Sequence, residues 1–472
     1  MTKETTESMK RSLIEIQMEE AGREIEKLMD VYPCMREVCR GLKVGAYPAA
    51  LFSSATFLGT LMTRCSYRYF GQRGKLCRMN YGTYVIGDPG TGKSFITMLY
   101  NLLAGPIIKV SEQGCKDMNN YKRRYKRWDD NGRKGDGPQK PKALIRTHPA
   151  RTSNKVFIED MINAVDMVDG EPMHLHLLSF DTELDNAIKQ QGEHWNDKRF
   201  LEMKSFHNEE DGMFYSNVDS VCETFRVYWN YVYTGTPFAL RHKVNGANIS
   251  DGLSTRLAVI PMPSTNFKML ERETLEEDSK EPEEYQTLRM WAERLDKTHG
   301  ELPVKELEEE CWDWTNDRME DAKEDNSKSD ELMCKRVGYY GMNVSIPFVV
   351  MRHWDEWQKH GTITIDKTDR WFCRLVMQIQ FACQRYYFGR FWDVYFEHEH
   401  DQFSVVKKNV RHTLKTKRRF AMLPEVFTKQ DVIEILHVTP SNADKMVTRW
   451  QQEGYLKSPE YEIYEKVLLD LY

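Results

Sequence analysis

The chain has 472 residues, of which 40% are apolar and 29% charged, and its formal net charge is −5. This composition excludes a disordered chain and a polycation, so any binding to nucleic acid must come from a local basic surface. Because a single hydrophobic core rarely grows beyond roughly 250–300 residues, we expect two or three domains.

Neither a membrane nor an oxidising compartment is indicated by the sequence. No apolar run approaches the ~18 residues that span a bilayer, and the best ones, 174–180 and 344–351, are typical of buried strands or core segments. The ten cysteines are scattered and do not form the two close pairs of a zinc site. We therefore expect a cytoplasmic protein with free thiols and no contact with a membrane.

Residues 1–75 predict a helical N-terminal region. Apolar and charged residues alternate at helical spacing over residues 8–31, which predicts an amphipathic helix that packs on the core or on a neighbouring subunit. Residues 47–61 are rich in Ala, Leu and Phe and predict a buried helix. Residues 76–265 then predict an α/β core of alternating strands and helices.

A glycine-rich loop follows a short apolar strand at residues 84–86 and leads into a helical segment at 95–99, which is the context of a P-loop. The loop residues predicted to bind nucleotide are Gly87, Asp88, Pro89, Gly90, Thr91, Gly92, Lys93 and Ser94. The glycines allow backbone N–H groups to converge on phosphate oxygens, while Lys93 would reach the β and γ phosphates and Ser94 would hold Mg²⁺. We expect ATP rather than GTP, because the sequence has no guanine-reading Asn-Lys-x-Asp motif.

Cations and aromatic residues are interleaved over residues 121–128. The candidate contacts to DNA in this segment are Lys122, Arg123, Arg124, Lys126 and Arg127. The pattern suits neutralisation of phosphates together with stacking on the bases of a single strand. A solvated helix whose aromatic residues pack on one face gives the same pattern, so both interpretations stay open.

A second apolar strand, at residues 174–180, ends in Asp181-Thr182-Glu183. A nucleotide motor needs a carboxylate at the end of a strand near the phosphate loop, to hold Mg²⁺ through water and to polarise the attacking water. We assign Asp181 to the metal and Glu183 to the catalytic base, and leave the reverse assignment open.

Two further polar groups are candidates for the γ-phosphate. A strand over residues 228–233 leads into Thr234, and either Asn230 or Thr234 is predicted to sense the phosphate or the attacking water. Arg256 comes just before an apolar strand. In ring-forming ATPases such an arginine reaches the γ-phosphate of the neighbouring subunit, although a lone arginine before a strand is more often a surface ion pair.

Residues 266–422 predict an acidic helical connector followed by a helical bundle. Acidic residues dominate 271–331, whereas 337–406 are rich in aromatic and aliphatic residues. A second basic cluster lies between residues 407 and 419, where a contact to the DNA backbone would be useful.

Residues 423–472 predict a winged helix-turn-helix module. Thr428 and Asp431 form a capping box that opens a short helix, Pro440 opens a second helix, and a hairpin follows. Lys445 and Arg449 would face DNA from the second helix. Such modules also dock on proteins, and this alternative stays open.

Taken together, these motifs resemble a family of P-loop ATPases of unknown function, similar to primase-helicases, from Bacteroides-type mobile elements and prophages. The resemblance covers roughly residues 47–263, with a weaker helical continuation to about residue 396. The segments that carry it are the phosphate loop, 180–185, 206–209, 233–237 and 252–256. The family usually has Glu where Asp181 stands and an aromatic residue where Leu257 stands. The resemblance implies a helicase-like ATPase of an integrated element, encoded beside primases and mobilisation proteins.

We therefore expect an α/β P-loop NTPase core of the ring-ATPase or RecA-like type, with a helical N-terminal region, a C-terminal helical bundle and a winged-helix tail. The expected function is an ATP-hydrolysing, helicase-like motor on single-stranded or forked DNA that serves the replication, excision or mobilisation of the element. We expect a homo-oligomeric ring that binds ATP and Mg²⁺ between subunits and works with a separate primase, relaxase or integrase. Two alternatives are an ATP-switched DNA-binding initiator that recruits such a partner, and a defence or signalling ATPase.

Overall fold

The computed structural model describes residues 12–72, 74–184, 195–214, 222–244, 252–265, 283–403, 420, 422–452, 456–460 and 462–466. These residues fall into two units. The first unit lies within Met1–Arg318 and Leu332–Trp392, and the second unit lies within Met319–Glu331 and Asp393–Tyr472.

Helices make up most of the regular structure in the part of the chain that the structure describes. In chain order they are α1 (Leu13–Leu28), α2 (Met35–Cys39), α3 (Tyr47–Leu61), α4 (Phe95–Leu103), α5 (Gly105–Asp130), α6 (Asn154–Asn163), α7 (Trp195–Ser205), α8 (Pro237–Lys243), α9 (Glu283–Leu295), α10 (Lys305–Glu324), α11 (Lys328–Cys334), α12 (Val337–Arg352), α13 (Trp354–His360), α14 (Lys367–Gln384), α15 (Arg390–Phe403), α16 (Lys429–Ile435) and α17 (Pro440–Gln452). A π-helical turn, Arg385–Gly389, joins α14 to α15.

The strands are short and belong to several sheets. In chain order they are β1 (Arg64–Ser66), β2 (Gly82–Ile86), β3 (Thr147–His148), β4 (Val165–Val168), β5 (Glu171–His174), β6 (Leu177–Asp181), β7 (Glu210–Phe214), β8 (Cys222–Arg226), β9 (Trp229–Gly235), β10 (Leu257–Pro261), β11 (His299–Glu301), β12 (Val426–Thr428), β13 (Leu456–Glu460) and β14 (Ile463–Lys466).

A parallel five-stranded sheet in the order β10-β2-β9-β6-β3 organises the first unit. Every residue of β2, β9 and β10 is buried, as expected for the strands of a parallel sheet that is covered on both faces. Because all five strands run in the same direction, the sheet has one edge where the strands begin and one where they end. We call these the amino edge, marked by Gly82 and Leu257, and the carboxyl edge, marked by Ile86 and Pro261.

Helix α3 is the buried helix that the sequence predicts, and it contacts four strands of the sheet. Its composition gives residues 44–61 enough length and hydropathy to pass as a membrane span among the described residues, but 89% of that window is buried inside the protein. The polar side chains of α3 are satisfied locally, since Thr56 donates to Phe52 O at 2.9 Å and Thr60 donates to Thr56 O at 2.7 Å. The helix is therefore a core element of the first unit.

The helices that flank the sheet in sequence share its core. Amphipathic α1 packs on α3 and α14, α12 packs on α3 and α14, and α14 packs on β10. The structure therefore does not separate residues 1–75, 76–265 and the start of 266–422 into the domains that the sequence predicts. The boundaries fail because the apolar faces of these helices are buried against a distant part of the chain, which sequence composition does not reveal.

The second unit contains the two helices and the hairpin predicted for the tail. Thr428 Oγ1 accepts from Asp431 N at 3.2 Å and Thr428 N donates to Asp431 Oδ2 at 2.7 Å, so the predicted capping box opens α16. Strand β12 joins the hairpin to make an antiparallel sheet in the order β12-β14-β13. The core of this unit is formed by the buried side chains Phe420, Leu423, Phe427, Val432, Ala443, Val447, Trp450 and Leu456.

Candidate nucleotide site

The glycine-rich loop joins the carboxyl end of β2 to the first turn of α4. Gly90 and Gly92 have φ values of 81° and 80°, in the left-handed region that glycine adopts without steric cost. A Cβ atom on Gly87 would lie 2.7 Å from both the Cβ of Met262 and the Oγ1 of Thr91. The loop conformation therefore depends on glycine at these three positions.

Lys93 and Ser94 lie where the loop meets α4. Lys93 Nζ donates to Gly87 O at 2.6 Å and to Asp88 O at 2.9 Å, so its ammonium group lies over the loop. The Ser94 side chain is exposed and makes no capping hydrogen bond to α4. The backbone N–H groups at the start of α4 add positive potential at the same place. The loop, the ammonium group of Lys93 and the N-terminus of α4 together form a surface that favours binding of an anion such as a polyphosphate.

Strand β9 brings Thr234 to the carboxyl edge beside the loop. Val85 of β2 pairs with Thr234, and Gly87 N donates to Gly235 O at 3.1 Å. Thr234 Oγ1 donates to Thr182 O at 2.7 Å, which ties the end of β9 to the turn after β6. On the side away from β10, the neighbour of the loop strand is therefore β9, and the acidic strand β6 lies one strand further away.

Asp181 is the last residue of β6 and is half-buried. Its Oδ2 accepts from Ala150 N at 3.3 Å and its Oδ1 accepts from Glu183 N at 3.1 Å. Glu183 itself is exposed on the turn that follows. A carboxylate fixed by two backbone donors suits a metal ligand, while a more exposed one suits exchange of protons with water.

No sequence motif predicts the buried lysine that lies next to Asp181. Lys198 on α7 is 3% exposed, and its Nζ donates to Ala150 O at 2.6 Å. Burial lowers the pKa of Lys198 to about 8, an effect that the carboxylates of Glu202 and Asp181 oppose. Lys198 therefore holds the backbone segment whose N–H binds Asp181. No local motif distinguishes this lysine from the other lysines of the chain, because its role depends on contacts across the sheet.

The prediction that Asn230 senses the γ-phosphate is wrong. Asn230 is fully buried near the amino edge, where it pairs with Leu178. Its Nδ2 donates to Thr60 Oγ1 and Met79 O, both at 2.9 Å, and its Oδ1 accepts from Tyr81 N at 3.2 Å. At ~3.3 Å per residue, Asn230 lies roughly 13 Å from Thr234 along β9. The alternative sensor, Thr234, lies at the same edge as the loop.

Arg256 lies at the amino edge, immediately before β10. The next residue, Leu257, pairs with Gly82 at the start of β2, whereas the glycine-rich loop follows the end of β2. Gly82 and Ile86, the first and last residues of β2, are roughly 13 Å apart, so Arg256 and Lys93 lie at opposite edges of the sheet. Any action of Arg256 on a nucleotide in such a loop therefore requires a second copy of the chain.

The basic segment predicted to contact DNA forms the last two turns of α5. The five cations Lys122, Arg123, Arg124, Lys126 and Arg127 are exposed and, as far as the structure describes the chain, make no ion pair. Tyr125 contacts both Tyr121 and Trp128, with ring centroids 5.9 and 5.6 Å apart, so the aromatic residues form a stripe along the helix. Tyr125 is 40% exposed. Both interpretations of this segment stay compatible with its structure.

The remaining predicted contacts to DNA belong to the C-terminal part of the chain. Lys445 is exposed on α17 and Arg449 is half-buried on the same helix. Lys429 pairs with Asp444, so acidic and basic groups alternate on this surface. The basic cluster at 407–419 lies outside the described residues.

The residues at the carboxyl edge fit ATP with Mg²⁺. Of the residues that the structure describes, no three His, Cys, Asp or Glu side chains are grouped to hold a metal ion. Mg²⁺ does not need such a cage, since it usually keeps several waters and takes one or two protein ligands together with phosphate oxygens. The exposed Ser94 hydroxyl and the Asp181 carboxylate supply ligands of that kind.

Comparison with models of known protein families gives no match, and no curated protein is significantly similar to the chain. The likeness to mobile-element ATPases therefore rests on the five sequence segments alone, which are the glycine-rich loop, 180–185, 206–209, 233–237 and 252–256.

Proposed function

We propose that this chain is an ATP-hydrolysing motor that acts on DNA and is built on a P-loop NTPase core of the ring-ATPase type. The observation that carries the proposal is the loop from Gly87 to Ser94, which lies between a buried parallel strand and a helix N-terminus with Lys93 folded over it. Thr234 and Asp181 lie at the same edge. The proposed role in the replication, excision or mobilisation of an integrated element is drawn from the motif resemblance.

Each residue of the site has a distinct proposed role. Backbone N–H groups of the loop and the Lys93 ammonium bind the phosphates, and Thr234 orients the attacking water. Ser94 and Asp181 hold Mg²⁺, which when bound neutralises charge on the β and γ phosphates. Glu183 accepts a proton from the attacking water.

The order of strands supports this division of roles. Because β9 lies between β2 and β6, two strand spacings of ~4.8 Å separate the loop strand from the acidic strand, or roughly 10 Å. That separation leaves room for a γ-phosphate and a water molecule between Lys93 and the carboxylates. The intervening strand places Thr234 beside the same space.

The test is ATP turnover by the full chain, measured with and without single-stranded DNA. We expect Mg²⁺-dependent hydrolysis that increases with DNA, and strand displacement on a forked substrate. Lys93→Ala should abolish turnover, whereas Lys359→Ala, which removes an exposed lysine of α13, should leave it unchanged. A folded wild-type chain that neither binds nor hydrolyses ATP would contradict the proposal.

A second candidate function is an ATP-switched DNA-binding initiator that recruits a helicase, primase or integrase. The order of elements in the second unit favours it, because a helix pair followed by a hairpin is an arrangement used to read DNA. DNA binding that depends on ATP but proceeds with negligible turnover would support the switch over the motor.

A further inference from the structure

A surface pocket with a volume of about 480 Å³ lies in the first unit, between α9 and α13. Sites for small molecules typically measure ~300–1,000 Å³, so the pocket has room for a ligand of the size of a nucleotide. We call it the tryptophan pocket. Aromatic, basic and amide side chains line it, among them Arg294, Lys297, His299, Trp354, Trp357 and Gln358.

Two tryptophan rings meet edge to face in the pocket. The ring centroids of Trp354 and Trp357 are 5.9 Å apart, and the rings are inclined by 77°. Trp354 packs in a similar way on the buried Trp291, at 5.5 Å and 82°. Trp357 is half-buried, and its contact with Trp354 is its only ring contact among the described residues. Part of the Trp357 ring therefore stays accessible to a planar ligand.

Arg294 is held at the pocket by the aromatic rings. Its Cζ lies 4.8 Å from the ring centroid of Trp291 and 6.0 Å from that of Trp354, which is a cation–π arrangement. Arg294 is nevertheless exposed. Because stacking uses the face of the guanidinium group, the N–H groups at its edge remain available to a phosphate.

Two further basic side chains line the pocket. Lys297 and His299 are exposed, and neither forms an ion pair in the part of the chain that the structure describes. The acidic residue of the lining, Glu293, pairs with Lys109 of α5 at 3.7 Å. The pocket therefore carries a local excess of basic groups on a chain whose net charge is −5, which indicates an anionic ligand.

Accessible aromatic rings beside cations are the features that bind single-stranded nucleic acid, because bases stack on the rings while the cations neutralise phosphates. The exposed amide of Gln358 adds a donor and an acceptor for the edge of a base. Packing alone accounts for the buried Trp291. It does not account for an accessible Trp357 that shares one pocket with Arg294 and Lys297.

We propose that the tryptophan pocket binds one nucleotide of a single DNA strand, with the base stacked on Trp357 and the phosphate bound by Arg294 and Lys297. The choice of DNA as the ligand rests on the proposed function. A free nucleotide offers the same chemistry, a base joined to a phosphate. The surroundings of the pocket favour a strand.

A strand in the pocket has further phosphate contacts within reach on α5. Helix α9 packs on α5, and the pair between Glu293 and Lys109 joins the two helices beside the pocket. At ~1.5 Å per residue, Lys122 lies roughly 20 Å from Lys109 along α5. Lys122 is the first of the five exposed cations on that helix. A strand of a few nucleotides spans this distance, whereas a free nucleotide does not.

The principal experiment is the affinity of the full chain for a fluorescein-labelled oligothymidine, measured by anisotropy without ATP and with a non-hydrolysable analogue. We expect Trp357→Ala to weaken binding at least about fivefold, the lower end of what stacking of one base contributes. Trp371→Ala is the matched control and should match wild type, because Trp371 is 40% exposed on α14 and does not line the pocket. Unchanged affinity in folded Trp357→Ala, or no binding by wild type, would overturn the proposal.

An abasic strand of the same length separates stacking from an effect on the fold. It keeps the phosphates but has no bases to stack, so wild type should bind it more weakly than the oligothymidine. Trp357→Ala should bind the abasic strand as wild type does. If Trp357→Ala weakened binding of both strands equally, Trp357 would act on the fold rather than on a base, and the proposal would fail.

Lys297→Ala tests the phosphate contact at an exposed position, where a change of side chain does not threaten folding. It should reduce the slope of log affinity against log salt by about 0.7 for both strands. Lys359→Ala, which removes an exposed lysine of α13 outside the pocket, should leave the slope unchanged. If Trp357→Ala does not fold, this slope decides, and an unchanged slope in Lys297→Ala contradicts the site.

Free thymidine monophosphate distinguishes a strand from a single nucleotide. It should displace the labelled strand only at concentrations far above those of unlabelled oligothymidine, because it carries one base and one phosphate. Binding of the monophosphate as tight as that of the oligothymidine, and lost in Trp357→Ala, would assign the pocket to a free nucleotide and overturn the assignment to a strand.

The pocket and the proposed motor fail in distinguishable ways. If wild type hydrolyses ATP while Trp357→Ala and Lys297→Ala bind both strands normally, the pocket fails alone. If wild type binds the strand through Trp357 but does not hydrolyse ATP, the motor fails and the pocket is supported.

Discussion

The two edges of the five-stranded sheet carry similar polar side chains in very different surroundings. At the amino edge, His176 Nδ1 shares a hydrogen bond of 2.7 Å with Thr63 Oγ1, and its Nε2 contacts Asn80 Oδ1. Asn80 Nδ2 donates to Asn208 Oδ1 at 2.7 Å, and Asn343 Nδ2 donates to Asn80 O at 3.0 Å. These groups are buried and satisfy one another, so they fix the packing of the sheet.

At the carboxyl edge most of the polar groups are accessible, although Thr234 is buried. Asp88, Ser94 and Glu183 are exposed, and Lys93 is half-buried. A polar residue in or near a strand therefore indicates chemistry only at the edge where the groups remain accessible.

The largest effect expected from a single carboxylate at the carboxyl edge is that of Glu183. Glu183→Gln keeps the groups that bind phosphate, so it should bind ATP but hydrolyse it at least about tenfold more slowly, the low end of a general-base effect. Single-turnover kinetics with separate measurement of ATP affinity would check this. If Asp181→Asn has this effect while Glu183→Gln is silent, the two roles are reversed.

Thr234 and Asn230 lie at opposite ends of β9, so substitutions at these two residues test the two edges of the sheet within one strand. Thr234→Val should lower turnover several-fold at unchanged ATP affinity, because it removes the hydroxyl beside the proposed γ-phosphate position. Asn230→Ala should instead leave Thr60, Met79 and Tyr81 without their partner, at a cost of about 2–4 kcal/mol in unfolding free energy. Denaturant unfolding and turnover of the folded fraction would separate the two. A stable but inactive Asn230→Ala protein would contradict the assignment of roles to edges.

The exposed cations of α5 are candidate contacts to DNA, and their effect on DNA affinity can be measured separately from ATP turnover. If they bind backbone phosphates, each substitution among Lys122, Arg123 and Arg127 should reduce the slope of log affinity against log salt by about 0.7 for single-stranded DNA. Tyr125→Ala should weaken binding by about 1–3 kcal/mol if a base stacks on that ring. Lys116→Ala, an exposed lysine earlier on α5, is the control. Unchanged salt slopes in all three variants would favour a solvated helix.

The smallest expected effect is on the pH dependence of stability, and it comes from Asp160, a buried acid close to the carboxyl edge. Burial raises the pKa of Asp160 to about 7, with Glu159 adding to the shift and Lys140 opposing it. His148 lies 3.6 Å from Asp160 and is neutral at that pH, since burial lowers the pKa of His148 to about 4. The folded chain therefore holds a proton on Asp160 that the unfolded chain has released between pH 4 and pH 7.

This proton makes the contribution of Asp160 to stability fall as pH rises from about 4 to about 7, and the loss is complete above that range. Asp160→Asn should accordingly raise the unfolding midpoint at pH 8 and change it little at pH 4, without affecting turnover. Thermal unfolding at the two pH values is the measurement. An equal shift at both would contradict the raised pKa of Asp160.

Local motifs account for what the sequence predicted well. The strand and helix on either side of the glycine-rich loop, the buried helix α3 and the capping box of α16 each depend on residues close together in the chain, and all three have the expected local structure. The features that the sequence did not predict depend on strand register and on packing between distant parts of the chain. Asn230 and Thr234 are four residues apart on one strand, and only the pairing of β9 with β2 shows which of them lies beside the loop. The position of Lys198 depends in the same way on contacts across the fold.

The most direct measurement is the stoichiometry and affinity of ATP binding in the presence of Mg²⁺, determined by equilibrium dialysis for wild type and two variants. One ATP molecule should bind per chain, Lys93→Ala at the carboxyl edge should bind it far more weakly, and the folded fraction of Asn230→Ala at the amino edge should bind it as wild type does. Equal binding by wild type and folded Lys93→Ala, or loss of binding confined to Asn230→Ala, would show that the carboxyl edge is not the nucleotide site.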